Sequence, residues 1–145
     1  MRTSLIIFIF SLHILVSGQM PKQWNSGEII QQLNKLGVLG NVLYLAAHPD
    51  DENTRFISYA ANESLYNTGY LSITRGDGGQ NLVGPEIREE LGIIRTQELL
   101  AARRIDGGQQ FFTRANDFGY SKTPEETLEI WDKSKVLADV VWVIR

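Results

Sequence analysis

The chain has 145 residues, enough for one domain with a modest core. Its 43% hydrophobic and 21% charged residues lie in the ordinary globular range and exclude wholesale disorder. A net charge of -3 without a basic cluster argues against nucleic acid or an anionic membrane surface as partner, and the lack of cysteine excludes disulfides and thiolate metal sites.

In chain order, Arg2 is followed by an apolar run from Leu5 to Val16, broken only by Ser11 and His13, and then by Val16-Ser17-Gly18. This pattern predicts a secretory signal peptide over residues 1–18 and export to a periplasmic or extracellular space. The run is shorter than the roughly 20 apolar residues a membrane span requires, so no stable span is expected. Residues 19–40 form a lead-in. Within it Ile29, Ile30, Leu33 and Leu36 recur at helical spacing up to Gly37, which predicts a short amphipathic helix at the edge of the domain.

Asn41 to Ala47 is short, apolar and without alternation, the pattern of a strand buried on both faces. Thr54 to Asn62 reads as helix and Tyr70 to Thr74 as a second strand. A glycine-rich loop runs from Arg75 to Gly84. Pro85 then opens a long helix over Glu86 to Arg104, which stops at Gly107-Gly108. Its apolar stripe is predicted at Ile87, Leu91, Ile94, Ala101 and Ile105. Gln110 to Thr113 suggests a third strand. Thr123-Pro124-Glu125-Glu126 starts another helix, and Lys133 to Arg145 a last one, with Val136, Leu137, Val140, Val141 and Ile144 on one side.

Alternating strands and helices predict an α/β fold, a Rossmann-like parallel sheet flanked by helices, over residues 41–145. A parallel sheet would normally gain another strand after the last helix, so the domain is expected to continue beyond Arg145.

The chemistry concentrates at Ala47-His48-Pro49-Asp50-Asp51-Glu52, directly after the first strand. Ligands of open parallel sheets bind at the carboxyl ends of strands. Imidazole and carboxylate are zinc ligands, and His48 and Asp51, three apart in a turn stiffened by Pro49, can reach one ion. A carboxylate left over can serve as general base. The same three acids also suit a plain electrostatic cap on the following helix. No glycine fingerprint for a pyrophosphate follows the strand, which excludes dinucleotide binding.

This hexapeptide behind an apolar strand resembles the signature of the PIG-L/LmbE-like zinc deacetylase family, whose members remove N-acetyl groups from amino sugars such as N-acetylglucosamine linked to inositol, malate or lipid. The resemblance covers roughly residues 41–120. It implies that His48 and Asp51 are zinc ligands, that Asp50 is the catalytic base and that Glu52 supports the loop. Thr74-Arg75-Gly76-Asp77-Gly78-Gly79 is similar to the family's second loop, which makes Asp77 a substrate-binding candidate, although an ordinary surface loop has the same composition. Arg95-Thr96-Gln97-Glu98 resembles the family's Arg-x-x-Glu. Arg95 matches the position that contacts a polar aglycone, and Glu98, on the apolar stripe, is expected to have a structural ion-pair partner. Asp117-Phe118-Gly119 is similar to a pocket-lining Asp-x-Gly loop, with Asp117 as a substrate contact.

The chain departs from the family in one respect. The family's third zinc ligand is a downstream histidine, and no histidine follows His48. The resemblance therefore implies a Zn2+-dependent N-deacetylase acting on an N-acetylglucosamine-type conjugate, with the third protein ligand outside the chain and this portion inactive by itself. The rival readings are a magnesium-dependent phosphoester hydrolase using the same acidic loop and a metal-free carbohydrate-binding relative.

Overall fold

The structure is a computed structural model and describes residues 23–145. The signal peptide expected over residues 1–18 lies outside them. Among the described residues no helix is long and apolar enough to cross a membrane.

Helix α1, Ser26–Lys35, is capped reciprocally: Glu28 N–H donates to Asn25 Oδ1 and Asn25 N–H to Glu28 Oε2, each at 2.9 Å. Two orphan donors of the first turn are thereby satisfied. Its apolar residues Ile29, Ile30 and Leu33 are exposed.

The compact unit Leu33–Arg145 contains the strands and the remaining helices. In order they are β1 Asn41–Ala46, α2 Thr54–Ser58 continued by a π-helical turn Tyr59–Glu63, β2 Asn67–Ser72, α3 Glu89–Asp106, β3 Gln109–Phe112, α4 Pro124–Ile130 and α5 Lys133–Ile144. The three strands form one parallel sheet in the order β1-β2-β3, with Tyr44 opposite Tyr70 and Ser72 opposite Phe112. The fold is α/β, and the parallel sheet with its helices matches a Rossmann-like arrangement.

The central strand is β2, whose Thr68 to Ser72 are all buried. The expectation that the first strand is buried on both faces is corrected: no residue of β1 is fully buried, and Leu45 is 48% exposed. A run of apolar residues specifies a strand but not its place in the sheet. One core cluster joins Ile57, Tyr70 and Leu99, with Tyr44, Ala46 and Phe112 packed against it. A second joins Ile73, Ala115 and Val136, with Trp131 and Val140 against it. Val136 and Val140 thus anchor α5, while Leu137, Val141 and Ile144 from the same predicted stripe are exposed.

Helix α3 begins three residues later than the proline signal suggested and ends as expected, with Gly107 in the left-handed conformation donating its N–H to the Arg103 carbonyl. Its predicted stripe is also corrected. Ile87 and Ile105 are exposed, and the buried face is Leu91, Gly92, Leu99, Arg103 and Asp106. The interior therefore receives a charged pair that hydropathy assigns to the surface. Arg103, 4% exposed, lies 2.6 Å from Asp106 and 3.2 Å from Glu52, both nearly as buried. It also donates to Gln110 at 3.4 Å and lies 5.3 Å from the centre of the Tyr70 ring. Breaking such a buried cluster by removing one member typically costs about 3–5 kcal/mol, because the remaining charges stay desolvated.

Helix α5 is tied to the segment after β3 by Arg114, whose guanidinium lies 2.7 Å from Asp139 and whose backbone N–H donates to the same carboxylate at 2.9 Å. Hydrogen bonds from the Arg114 side chain and then its backbone hold the Asp139 carboxyl below its usual 3.8. The contribution is fully present above the unfolded value and disappears as pH falls through the lower, folded value. Asp139→Asn is expected to unfold at lower urea than the parent at neutral pH. The gap between the two midpoints should narrow below about pH 4, checked by urea titrations across that range.

Candidate active site

The three loops that leave the carboxyl ends of β1, β2 and β3 meet above the sheet. Buried hydroxyls join them. Thr74 N–H extends the ladder to the Ala47 carbonyl at 2.9 Å, and Thr74 Oγ1 lies 3.2 Å from that oxygen and 3.3 Å from Asp117 Oδ2. Thr113 Oγ1 donates to the Ile73 carbonyl at 2.6 Å. Between these loops and α3 lies a cleft of about 510 Å³. It occupies the strand-end position at which open parallel sheets bind ligands.

The first wall is the turn after β1. His48 N–H donates to Asp51 Oδ2 at 2.9 Å, and Asp51 N–H returns to the His48 carbonyl at 3.4 Å. The turn brings His48 Nδ1 to 3.4 Å from Asp51 Oδ2, with both side chains nearly half exposed. Asp50, at the apex, has φ of +82° and is 72% exposed at its side chain. Aspartate enters this region more readily than most residues but still at a cost of order 1–3 kcal/mol. Two contacts maintain it: Asp50 N–H donates to Glu52 Oε2 at 3.0 Å, and Arg95 Nη2 donates to Asp50 Oδ2 at 2.6 Å. The electrostatic-cap reading of the acids is not needed, because Asn53 caps α2 by accepting from Phe56 N–H at 3.0 Å.

The turn is also supported from below. Tyr70, fully buried on β2, donates its hydroxyl to the His48 carbonyl at 2.5 Å. Burial, reinforced by the carboxylates of Glu52 and Asp51, pushes this phenol up to about 12, so it stays a donor. The Glu52 side chain, 5% exposed, points inward to Arg103.

The second wall is α3. Leu91, Ile94, Arg95 and Glu98 line the cleft at helical spacing. Glu98 has the partner expected of it, Arg95 Nη1 at 3.0 Å, but it is a half-exposed residue of the cleft wall and not a buried one. Arg95 also donates to the Pro49 carbonyl at 3.3 Å, so one guanidinium links α3 to the apex of the turn. Asp117 lines the cleft from the third loop, where Oδ1 accepts from Gly119 N–H at 2.9 Å. Asp77 is not among the residues that line the cleft. It packs against Gly92 of α3 and lines two neighbouring hollows. Of the predicted residues, His48, Asp50, Arg95, Glu98 and Asp117 therefore share one cleft, with Asp51 in the turn, Glu52 beneath it and Asp77 outside.

The donor chemistry of His48 and Asp51 suits zinc, and their separation lets both face one ion. Among the described residues no third His, Cys, Asp or Glu joins them. Two further supports were not foreseen from the sequence, Tyr70 and Arg103. Arg103 did leave a signal: it lies four residues after Leu99 and three before Asp106, an opposite-charge pair on the buried face of the helix.

Gly78 keeps the second and third loops together. A Cβ there would clash with Asp117 Oδ1 and lie 2.5 Å from Gly119 N, whereas at Gly79 the nearest atom would be the Gly76 carbonyl at 3.3 Å. Gly78→Ala is expected to cost about 1–3 kcal/mol through overpacking, with Gly79→Ala markedly milder. Thermal unfolding of the two variants checks this.

Residues 43–145, well over half of the chain, match the family PIG-L, described as GlcNAc-PI de-N-acetylase. No curated protein matches the chain. With the His48–Glu52 turn, the glycine loop and the Arg95–Glu98 pair gathered on one α/β scaffold, this chain belongs to the PIG-L family of de-N-acetylases.

Proposed function

We propose that the protein is a zinc-dependent hydrolase that removes the N-acetyl group from an N-acetylglucosamine-type conjugate. The observation that carries this reading is the turn itself, in which an exposed carboxylate, Asp50, follows His48 and precedes Asp51 in the chain at the edge of a cleft. The family match supports amide hydrolysis on an amino sugar.

His48 and Asp51 would hold the ion. Zinc, when bound, supplies Lewis acidity toward an amide carbonyl and toward water. Asp50 accepts a proton from the attacking water, whose oxygen bonds to the acetyl carbon. The proton passes to the amide nitrogen as the C–N bond breaks, releasing acetate and a free amine. Arg95 orients Asp50 through the 2.6 Å contact, and Glu98 fixes the other arm of the guanidinium. Arg95 and Asp117, which line the cleft, hold the conjugate. The leader-like sequence of residues 1–18 supports export.

The test is Asp50→Asn in the full-length protein, assayed on an N-acetylglucosamine conjugate with metal content measured alongside. Acetate release should fall roughly a hundredfold or more while zinc stays bound. Undiminished release removes Asp50 from the reaction. Sugar binding without turnover and without zinc in the parent protein favours the carbohydrate-binding alternative.

A further inference from the structure

The two metal donors of the turn share a support that comes from outside it. Tyr44 on β1 and Tyr70 on β2 stand opposite each other in the sheet register, and their rings meet edge to face with centroids 6.0 Å apart. Aromatic pairs favour that arrangement. The two hydroxyls then reach different residues of the turn. Tyr70 donates to the His48 carbonyl at 2.5 Å, and Tyr44 donates to the Asp51 carbonyl at 3.5 Å.

Both rings are anchored. Tyr70 is fully buried, packs with Ile57 and Leu99, and has the guanidinium carbon of Arg103 5.3 Å from its centre. Tyr44 packs against the same cluster, with its ring 6.3 Å from that of Phe56. The turn alone holds its donors less firmly. Asp51 N–H reaches the His48 carbonyl only at 3.4 Å, and the side chains of both residues are nearly half exposed. Residues of an exposed turn lose conformational freedom when they close on an ion. Holding their carbonyls from the core reduces that loss.

We infer that Tyr44 and Tyr70 are positioning residues, which set the spacing of His48 and Asp51 for a divalent ion through the backbone carbonyls of those two residues. The inference rests on the reading of His48 and Asp51 as zinc donors. It adds that metal affinity is set from β1 and β2, by hydroxyls bonded to the backbone of the donors and not to their side chains. Outer partners of metal ligands typically change affinity about 10–100-fold.

The experiment measures zinc affinity of the full-length protein by competition with a chromogenic chelator, without substrate, and acetate release in parallel samples. Tyr70→Phe keeps the ring and removes the hydroxyl, and should weaken zinc binding about tenfold. Tyr44→Phe, at the longer contact, should weaken it about threefold. Ile57→Val thins the same core cluster away from the turn, and should lower the urea midpoint while zinc affinity stays that of the parent. Parental zinc affinity in either phenylalanine variant overturns the proposal. A loss in Ile57→Val equal to that in Tyr70→Phe also overturns it, because core packing alone then accounts for the effect. Weakened zinc in both phenylalanine variants, with no acetate release from the parent, upholds the tyrosine pair and contradicts the deacetylase reading. Acetate release by the parent with unchanged zinc affinity in the variants does the reverse, and a parent that binds no zinc overturns both.

Discussion

A guanidinium in the interior, Arg103, stands between two carboxylates that belong to different parts of the molecule. Asp106 is its own helix neighbour, and Glu52 is the last acid of the turn after β1. Because all three side chains are nearly inaccessible, none can turn to water for compensation, and each fixes the others. The consequence reaches the surface: with one oxygen on Arg103, Glu52 presents the other to the N–H of Asp50 and supports an aspartate in a left-handed conformation. The fold thus spends a buried ion cluster on the shape of one exposed turn.

Arg95 completes the same construction from above. Both arginines lie on α3, two turns apart, and each takes one acid of the turn, Arg103 from inside and Arg95 from the cleft. The turn is therefore held on both sides by one helix, whose register on the sheet decides where the Asp50 carboxylate stands. Such pre-organisation separates a site that merely contains the right residues from one that holds them at a working geometry.

Much of this was legible in the sequence, for identifiable reasons. The β-α-β alternation follows from apolar runs and turn residues. The cap at Thr123 and the stop at Gly107 follow from local hydrogen-bonding chemistry. The hexapeptide at residues 47–52 pointed to the strand end, where the structure places His48 and Asp50 on the wall of the cleft, although its acids alone fitted a helix cap equally well. What stayed hidden depended on contacts distant in sequence. The start of α3 follows Arg88, a non-glycine residue with φ of +53°, and not Pro85. The edge position of β1 depends on which strands pair with it. The burial of Arg103 depends on Glu52, fifty-one residues earlier, and a hydropathy stripe that counts arginine as polar cannot register it. Asp77, one residue from the glycines that shape its loop, turns toward α3 because Gly92 leaves room for it.

Glu52 and Arg103 thus act as one unit joining the turn to the helix. A double-mutant cycle with Glu52→Gln, Arg103→Met and the combined variant, measured by chemical denaturation, tests it most directly. Strongly non-additive losses are expected, with a coupling of about 1 kcal/mol or more between the two positions. Losses that simply add would contradict it, and would leave the turn to be held by Arg95 and its own hydrogen bonds alone.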